Sequence, residues 1–431
     1  MALNQPSKWE WVNFEEAVEI WDSLRKPINS KERAQRISDK KQEELYPYYG
    51  ATGQVGYIDS YLSDGEYVLL GEDGAPFLDP VANKAYLIQG KAWVNNHAHV
   101  LRSKYNNKFL CYYLNQFNYN GFVTGTTRYK LTQAAMKRIP IPVPSPNEQE
   151  RIVSKIEELF SRLDASVTEL QTAKEKLKVY RQAVLKEAFE GKLSETWRLS
   201  SSAMPQSDFL SICKQNPRFK DTSGDENEIT LNIPTTWLKI RIGDIFDVEV
   251  GSTPKRSIAE YWNGTINWVS SGEVHFNAIT TTKERITEAG LANSSTNLQP
   301  AGTVLLAMIG EGKTRGQAAI LNTNAAHNQN TAAILVSKTP CDPKYIYYFL
   351  MLNYENTRRV GSGNNQKALN KERVRALRFP FTSFEEQRII VSNIESRFSV
   401  FDSIEQTIDT SLQRAEALRQ SILKQAFEGG L

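Results

Sequence analysis

Four short segments of the sequence concentrate side chains that hydrogen-bond planar bases and anionic phosphates. They are Tyr48 to Gly53 (with Tyr48, Tyr49, Gly50 and Thr52), Thr126 to Lys130 (Thr126, Thr127, Arg128, Lys130), Lys313 to Gln317 (Lys313, Thr314, Arg315, Gln317), and the run Asn364, Asn365, Gln366 and Lys367. Base edges are read by Asn, Gln, Arg, Lys, Ser and Thr, while phosphates take Lys, Arg and the backbone N–H groups of glycine-rich loops. Asn95, Asn96 and His97 in the first half, and Lys255, Arg256 and Ser271 in the second, offer the same chemistry more sparsely. Singly, each is what an ordinary polar turn contains. Jointly, the loops favour contact with nucleic acid.

Catalytic patterns are not completed. AMIGEGKT at 307 has Ala307 where a phosphate-binding loop needs its first glycine. Asp342-Pro343-Lys344-Tyr345 lacks the second proline of the adenine methyltransferase motif and has no G-x-G loop in support, so it reads as a turn before a helix. Four histidines assemble no Ser/His/Asp set, and His97 with His99 has no carboxylate cluster to complete a metal site. Cys111, Cys213 and Cys341 are widely spaced and odd in number, against both a disulfide framework and zinc; reduced, buried thiols are expected. No catalytic or metal-binding residue is assigned.

The elements that must position the loops emerge from an internal repeat. Leu131 to Leu193 aligns without a gap on Leu369 to Leu431, a shift of 238 (369 − 131). NEQERIVSKIEELFSRLD at 147 pairs with EEQRIIVSNIESRFSVFD at 385, and RQAVLKEAFEGKL at 181 with RQSILKQAFEGGL at 419. Each copy has heptad spacing: Ile156, Leu163, Leu170, Leu177 and Val184 in the first, Ile394, Phe401, Ile408, Ala415 and Ile422 in the second. Leu159, Ala173 and Tyr180, and Ile404 and Leu418, fill intervening seam positions, while Glu157, Lys174, Glu175 and Lys178 read as solvated surface.

Each copy therefore reads as one long helix. Pro140, Pro142, Pro144 and Pro146 oppose an earlier start, Ser145 or Asn147 can cap the first turn, and Gly191 and Gly429 end the two helices. Ile152 to Phe189 spans roughly 57 Å at about 1.5 Å per residue, and a lone helix of that length with one apolar seam needs a partner. The other copy supplies it, giving an antiparallel coiled coil.

Before each helix lies a region of short β-branched and aromatic runs broken by Gly, Asn and Asp, the texture of a mixed α/β domain. Trp9 and Trp237 open these regions, and FLCYYL at 109 resembles YIYYFL at 345. The expected boundaries are 1–142, a first domain; 143–193, a helical spacer; 194–233, a polar linker around the helical piece DFLSICKQ; 234–380, a second domain; and 381–431, a second helical spacer. A chain of 431 residues is too long for one core, which agrees. The net charge of +3 permits nucleic-acid binding without signalling it. MALNQPSKWEWVNFEE has no basic and apolar leader pattern and no apolar run is long enough to span a bilayer, so a cytoplasmic protein with no membrane contact is expected.

IPIPVPSPNEQERIV with its partner LRFPFTSFEEQRIIV, the two FEG-ended helices, and YYGATGQVGYID followed by GEYVLLGEDGA and NNHAHVL together resemble the specificity subunits of type I restriction-modification systems. The resemblance covers nearly the whole chain. The second copy departs from the first in keeping Pro380 but placing Thr382 and Phe384 where the other prolines fall. The family implies two α/β target-recognition domains separated by two long helices in pseudo-twofold duplication, and no catalysis in this chain. Each domain would read one half of a split, non-palindromic target in double-stranded DNA. The helices would set the spacing and dock two methyltransferase subunits, with restriction subunits joining them. No cofactor is expected here; S-adenosylmethionine, ATP and Mg belong to the partners. The specificity subunit of a type IIB enzyme, or a coiled-coil scaffold that binds proteins, are the alternatives the residues leave open.

Overall fold

A computed structural model describes residues 9–200, 204–217, 219–220, 231–310, 312–337, 339, 341–359 and 369–431. The chain divides into two compact units, Met1–Ala173 with Gln406–Leu431, and Lys174–Glu405. Among the described residues no helix is long and apolar enough to cross a membrane.

In the first unit the strands are β1 (Glu10–Val12), β2 (Val18–Ile20), β3 (Tyr46–Gly50), β4 (Gly53–Ile58), β5 (Ser63–Gly71), β6 (Ala85–Val94), β7 (Ala98–Ser103) and β8 (Ile141–Val143). Six form one sheet in the order β2-β7-β5-β6-β3-β4, antiparallel except for β3 beside β6. Its central strand β5 alternates: Val68 and Leu70 enter the larger core, Tyr67 and Leu69 a smaller one on the other face. Helix Asn107–Gln116 packs Phe109, Leu110, Tyr113 and Leu114 into the larger core. β1 and β8 pair separately, Trp11 opposite Pro142.

The second unit carries β9 (Leu238–Arg241), β10 (Asp247–Val250), β11 (Trp262–Val269), β12 (Asn277–Ile279), β13 (Glu284–Ile286), β14 (Val304–Ala307), β15 (Ala318–Leu321), β16 (Ala325–His327), β17 (Thr331–Leu335) and β18 (Arg378–Phe381). They form a sheet β10-β17-β14-β15-β12, a second β13-β11-β16, and the pair β9-β18, which repeats β1-β8. Asp342 caps helix Pro343–Leu352 by accepting from Lys344 N–H at 2.8 Å, the turn before a helix that the sequence implies.

The long helices are Pro146–Phe189 and Phe384–Phe427. The first starts six residues before Ile152, because a proline is tolerated in a first turn whose N–H has no partner in any case. Ser145 Oγ accepts from Glu148 N–H at 3.4 Å, and Ser383, its equivalent, accepts from Glu386 N–H at 3.3 Å. The glutamine shared by NEQE and EEQR has the same buried duty in both copies: Gln149 donates to the Pro144 carbonyl at 3.0 Å and Gln387 to the Thr382 carbonyl at 2.7 Å. Gly191 and Gly429 follow the helices with φ of 73° and 80°, a backbone region that favours glycine.

Within the first unit, residues 146–173 of the first helix run antiparallel to 406–427 of the second; Arg151 reaches the Leu431 carbonyl at 2.7 Å and Arg419 pairs with Asp164. Within the second unit, 174–189 run antiparallel to 384–405, where Arg181 meets Asp402 at 2.7 Å and Arg397 meets Glu187 at 3.3 Å. Ile156, Leu177, Val184, Ile394, Ile408, Ala415 and Ile422 are buried, and Leu163, Leu170 and Phe401 half-buried. Tyr180, Ile404 and Leu418 differ from the seam assigned to them: they are exposed, since the apolar stripe of a 3.6-residue helix drifts from a strict seven-residue repeat, although Tyr180 still stacks on Phe401 at 6.5 Å.

Each core takes the start of one long helix and the end of the other. Ile152, Val153 and Ile156 join Ile422, Leu423, Ala426 and Phe427 in the first unit, and Ile390, Val391 and Ile394 join Val184, Leu185, Ala188 and Phe189 in the second. Part of the stretch read as polar linker is also core: helix Gln206–Lys214 buries Phe209 and Cys213, with Phe209 5.2 Å from the Phe381 ring. All three cysteines are buried.

Candidate nucleic-acid interface

In the first unit, three of the sequence-selected segments converge on one cleft of about 710 Å³, lined by Gly50, Asn95, His97, Thr127 and Arg128. The turn between β3 and β4 carries exposed Thr52, the loop between β6 and β7 carries Asn95, exposed Asn96 and His97, and Thr126 and Lys130 are exposed beside Arg128. Tyr48 is absent from the lining: it is buried, with the Arg33 guanidinium 4.7 Å from its ring centre. Tyr49 is half-buried against Tyr86, whose hydroxyl donates to the Gly50 carbonyl.

Asp73, Gly74 and Ala75 of the GEDGA loop, Gly71 to Ala75, also line the cleft. Glu72 N–H donates to the His97 carbonyl at 2.7 Å, Leu131 N–H to the Glu72 carbonyl at 2.7 Å, and Gly74 N–H to the Tyr129 carbonyl at 2.9 Å, so this loop fixes the other two. Beneath it, His99 meets Asp22 at 2.8 Å and Arg25 pairs with both Asp22 and Glu72. Burial pushes the Asp22 carboxyl up, but the hydrogen bond and charge of His99, the Val100 N–H and Arg25 outweigh it and hold the group below its ordinary value. Among the described residues no group of three or more His, Cys, Asp or Glu is arranged to hold a metal.

In the second unit, strand direction gathers the candidates. β10, β11, β14 and β16 end, and β15 and β17 begin, at one edge, shown by Val250 opposite Ala332, Val269 beside His327 and Ala307 opposite Thr331. Lys255 and Arg256 follow β10, Ser271 follows β11, and Lys313 to Gln317 join β14 to β15. Lys313 and Thr314 thus lead into a strand, whereas a phosphate-binding loop opens a helix. Asn328, Gln329 and Asn330 share this edge, with Met308 N–H donating to the Asn330 carbonyl at 2.8 Å. Asn-Gln-Asn between alanine-rich strands is the same side-chain chemistry, a signal the sequence carries. Asn364, Asn365, Gln366 and Lys367 lie outside the described residues.

The cations of this edge are not equivalent. Lys313 is exposed, while Arg315 is half-buried and donates to the Arg358 carbonyl at 3.1 Å. Arg256 stacks 4.0 Å over Trp262 and closes both terminal nitrogens on Glu284. That hydrogen bond raises the Arg256 pKa and lowers that of Glu284.

A second constellation occurs twice. In the first unit Lys108 pairs with Glu157 at 2.6 Å, Tyr112 stands edge-on to Phe160 at 5.8 Å, and Arg419 covers Phe160. In the second, Lys344 pairs with Glu395 at 2.5 Å, Tyr348 stands edge-on to Phe398 at 5.8 Å, and Arg181 covers Phe398. Glu157 and Lys174 are therefore not simply solvated: Lys174 reaches Glu405 at 3.7 Å. Phe160, Asp164 and Arg181 recur at the 238 shift as Phe398, Asp402 and Arg419, a signal present in the alignment.

The model of the type I restriction modification DNA specificity domain matches residues 6–176 and 234–414. The chain belongs to this family and is a non-catalytic DNA-recognition subunit with two specificity domains. It is 23% identical to the Escherichia coli EcoDI specificity subunit across 90% of this chain and 82% of that protein. A putative type I specificity subunit from Haemophilus influenzae is 38% identical over 162 residues, 36% of this chain and 39% of that protein. The fold is that of an HsdS subunit from Thermoanaerobacter tengcongensis (17% identity, 99% and 98% coverage, TM-score 0.53) and of a chain from a type I R-M system (16% identity, 99% of each chain, TM-score 0.65).

Proposed function

We propose that each recognition domain reads one half of a two-part, non-palindromic target in double-stranded DNA, and that the helical segments hold two methyltransferase subunits and set the half-site separation. Restriction subunits join this core, and S-adenosylmethionine, ATP and Mg bind the partner subunits in the cytoplasm. The carrying observation is the constellation around Phe160 that recurs around Phe398, because two equal surfaces on one chain take two copies of one partner. The DNA contacts follow from the first cleft and the polar strand edge of the second unit.

Two measurements test this. Mixed with its methyltransferase, the chain should form a one-to-two complex by mass; one-to-one at saturation would count against the paired surfaces. Replacing residues 234–380 with the domain of another family member should change one half of the methylated sequence, and a change in both halves would show that the domains do not read independently.

A further inference from the structure

The three arginines of the recognition loops commit their guanidinium groups differently. Arg256 spends both terminal nitrogens on Glu284, and Arg315 gives one to the Arg358 carbonyl. Arg128 donates Nε to Asp73 Oδ1 at 2.8 Å and, among the described residues, leaves both terminal nitrogens uncommitted, on a side chain 61% exposed at the cleft.

The carboxylate that holds it is itself held. Asp73 Oδ2 lies 3.5 Å from His97 Nδ1, and the Asp73 N–H reaches the His97 carbonyl at 3.4 Å. Arg128 lies across Gly74, whose φ is 79° and where a Cβ would stand 3.3 Å from Arg128 Nε. The side chain is therefore aimed before any ligand arrives.

A guanidinium tied at Nε presents its two terminal nitrogens as a planar fork, which matches the O6 and N7 acceptors of guanine in the major groove. Phosphate is the competing ligand, held mainly by charge. Asp73 and Asp79 line this same cleft and Glu72 lies 3.6 Å from Lys130, so the local field does not favour a phosphate. We infer that Arg128, oriented by Asp73, reads a guanine in the half-site of the first recognition domain; this rests on the DNA-reading function proposed above. Asp73 is a positioning residue and also keeps Arg128 from binding duplexes indiscriminately.

The complex with its methyltransferase is tested on duplexes of its mapped target, replacing guanines one at a time by 7-deazaguanine, which lacks the N7 acceptor. The unaltered complex should lose about tenfold in affinity at one guanine of one half-site. Arg128→Ala and Arg128→Met complexes should bind guanine and 7-deazaguanine equally there, because neither side chain donates a hydrogen bond to N7. Asp73→Asn should raise affinity for random duplex several-fold and narrow the gap between target and random DNA. Should Arg128→Ala fail to fold, as thermal unfolding would reveal, the methionine variant decides. An undiminished guanine dependence in a folded Arg128 variant, or discrimination lost at a base other than guanine, overturns the inference. A wild-type complex that prefers no sequence at all would instead sink the DNA-reading function.

Discussion

The guanidinium of Arg419 lies 4.3 Å from the ring centre of Phe160 and pairs with Asp164, joining the end of the second long helix to the beginning of the first. Arg181 repeats this over Phe398, at 5.4 Å, with Asp402 as its carboxylate. A cation over a ring adds about 0.5–1 kcal/mol at an exposed site and an exposed ion pair about as much, so the apolar contact of each phenylalanine dominates. Phe160→Ala and Phe398→Ala should each destabilise by about 2 kcal/mol, less than the ~3–5 of a fully buried ring. Among the described residues the two rings share no partner, so the effects should add in denaturant unfolding. If they carry the paired docking surfaces, each single variant should retain one methyltransferase by mass and the double variant none.

At the polar strand edge of the second unit, Lys313 and Arg315 should separate. Lys313 is exposed, so Lys313→Ala should lower the slope of log affinity against log salt by about 1 if it contacts a phosphate, with no change in melting. Arg315 donates to the Arg358 carbonyl, so Arg315→Ala should also destabilise by about 1 kcal/mol. Fluorescence anisotropy at several salt concentrations, with thermal unfolding alongside, distinguishes them; an unchanged slope in both removes this loop from the interface.

His327 is fully buried at the end of β16, its Nδ1 2.8 Å from Thr331 Oγ1, and burial holds its pKa down to about 4. Unfolded, the ring titrates near 6.5, so between these values the unfolded chain binds the extra proton. The contribution is complete above pH 6.5 and is lost as pH falls through about 4, roughly 3 kcal/mol over the window. His327→Gln should flatten this part of the stability–pH curve even if it lowers the plateau, and an unchanged slope would show that His327 is not its source.

The long helices were legible because a seven-residue period and a gapless repeat leave a strong imprint. The cleft was legible in its parts: Asn95, His97, Thr127 and Arg128 were selected for side-chain chemistry, and β-pairing then brings them together. Tyr48 lies away from the cleft because an aromatic beside a glycine-rich turn suits a core as well as a surface, and packing with Ile58 and Trp93 puts it in a core. Asp73 was not legible as part of the cleft because a carboxylate does not donate to bases or phosphates, and only the folded pairing with Arg128 brings it in. Phe209 was hidden by the polar residues around it, since composition averages over a segment while burial is settled one residue at a time.

Glu148 and Glu386 occupy the same place in the repeat, yet their surroundings predict opposite sensitivities. Among the described residues Glu148 pairs only with Arg151, one turn away on the surface, at 2.8 Å. Glu386 is buried and takes Arg198 at 2.6 Å and Ser194 at 2.7 Å on one oxygen, and Trp237 Nε1 at 2.8 Å and Thr382 at 2.6 Å on the other. Removing an exposed partner costs little because water replaces it, so Glu148→Ala should change stability by no more than about 0.5 kcal/mol. Glu386→Ala should destabilise by about 3–5 kcal/mol, because it strands a largely buried guanidinium and three further donors. Glu386→Gln should fall between, since its amide must turn N–H toward one pair of donors and keeps an acceptor for the other. Urea unfolding of the three variants tests the ordering. A Glu386→Ala protein as stable as Glu148→Ala would mean that the segment from Ser194 to Arg198 is not held to the start of the second helix by this carboxylate.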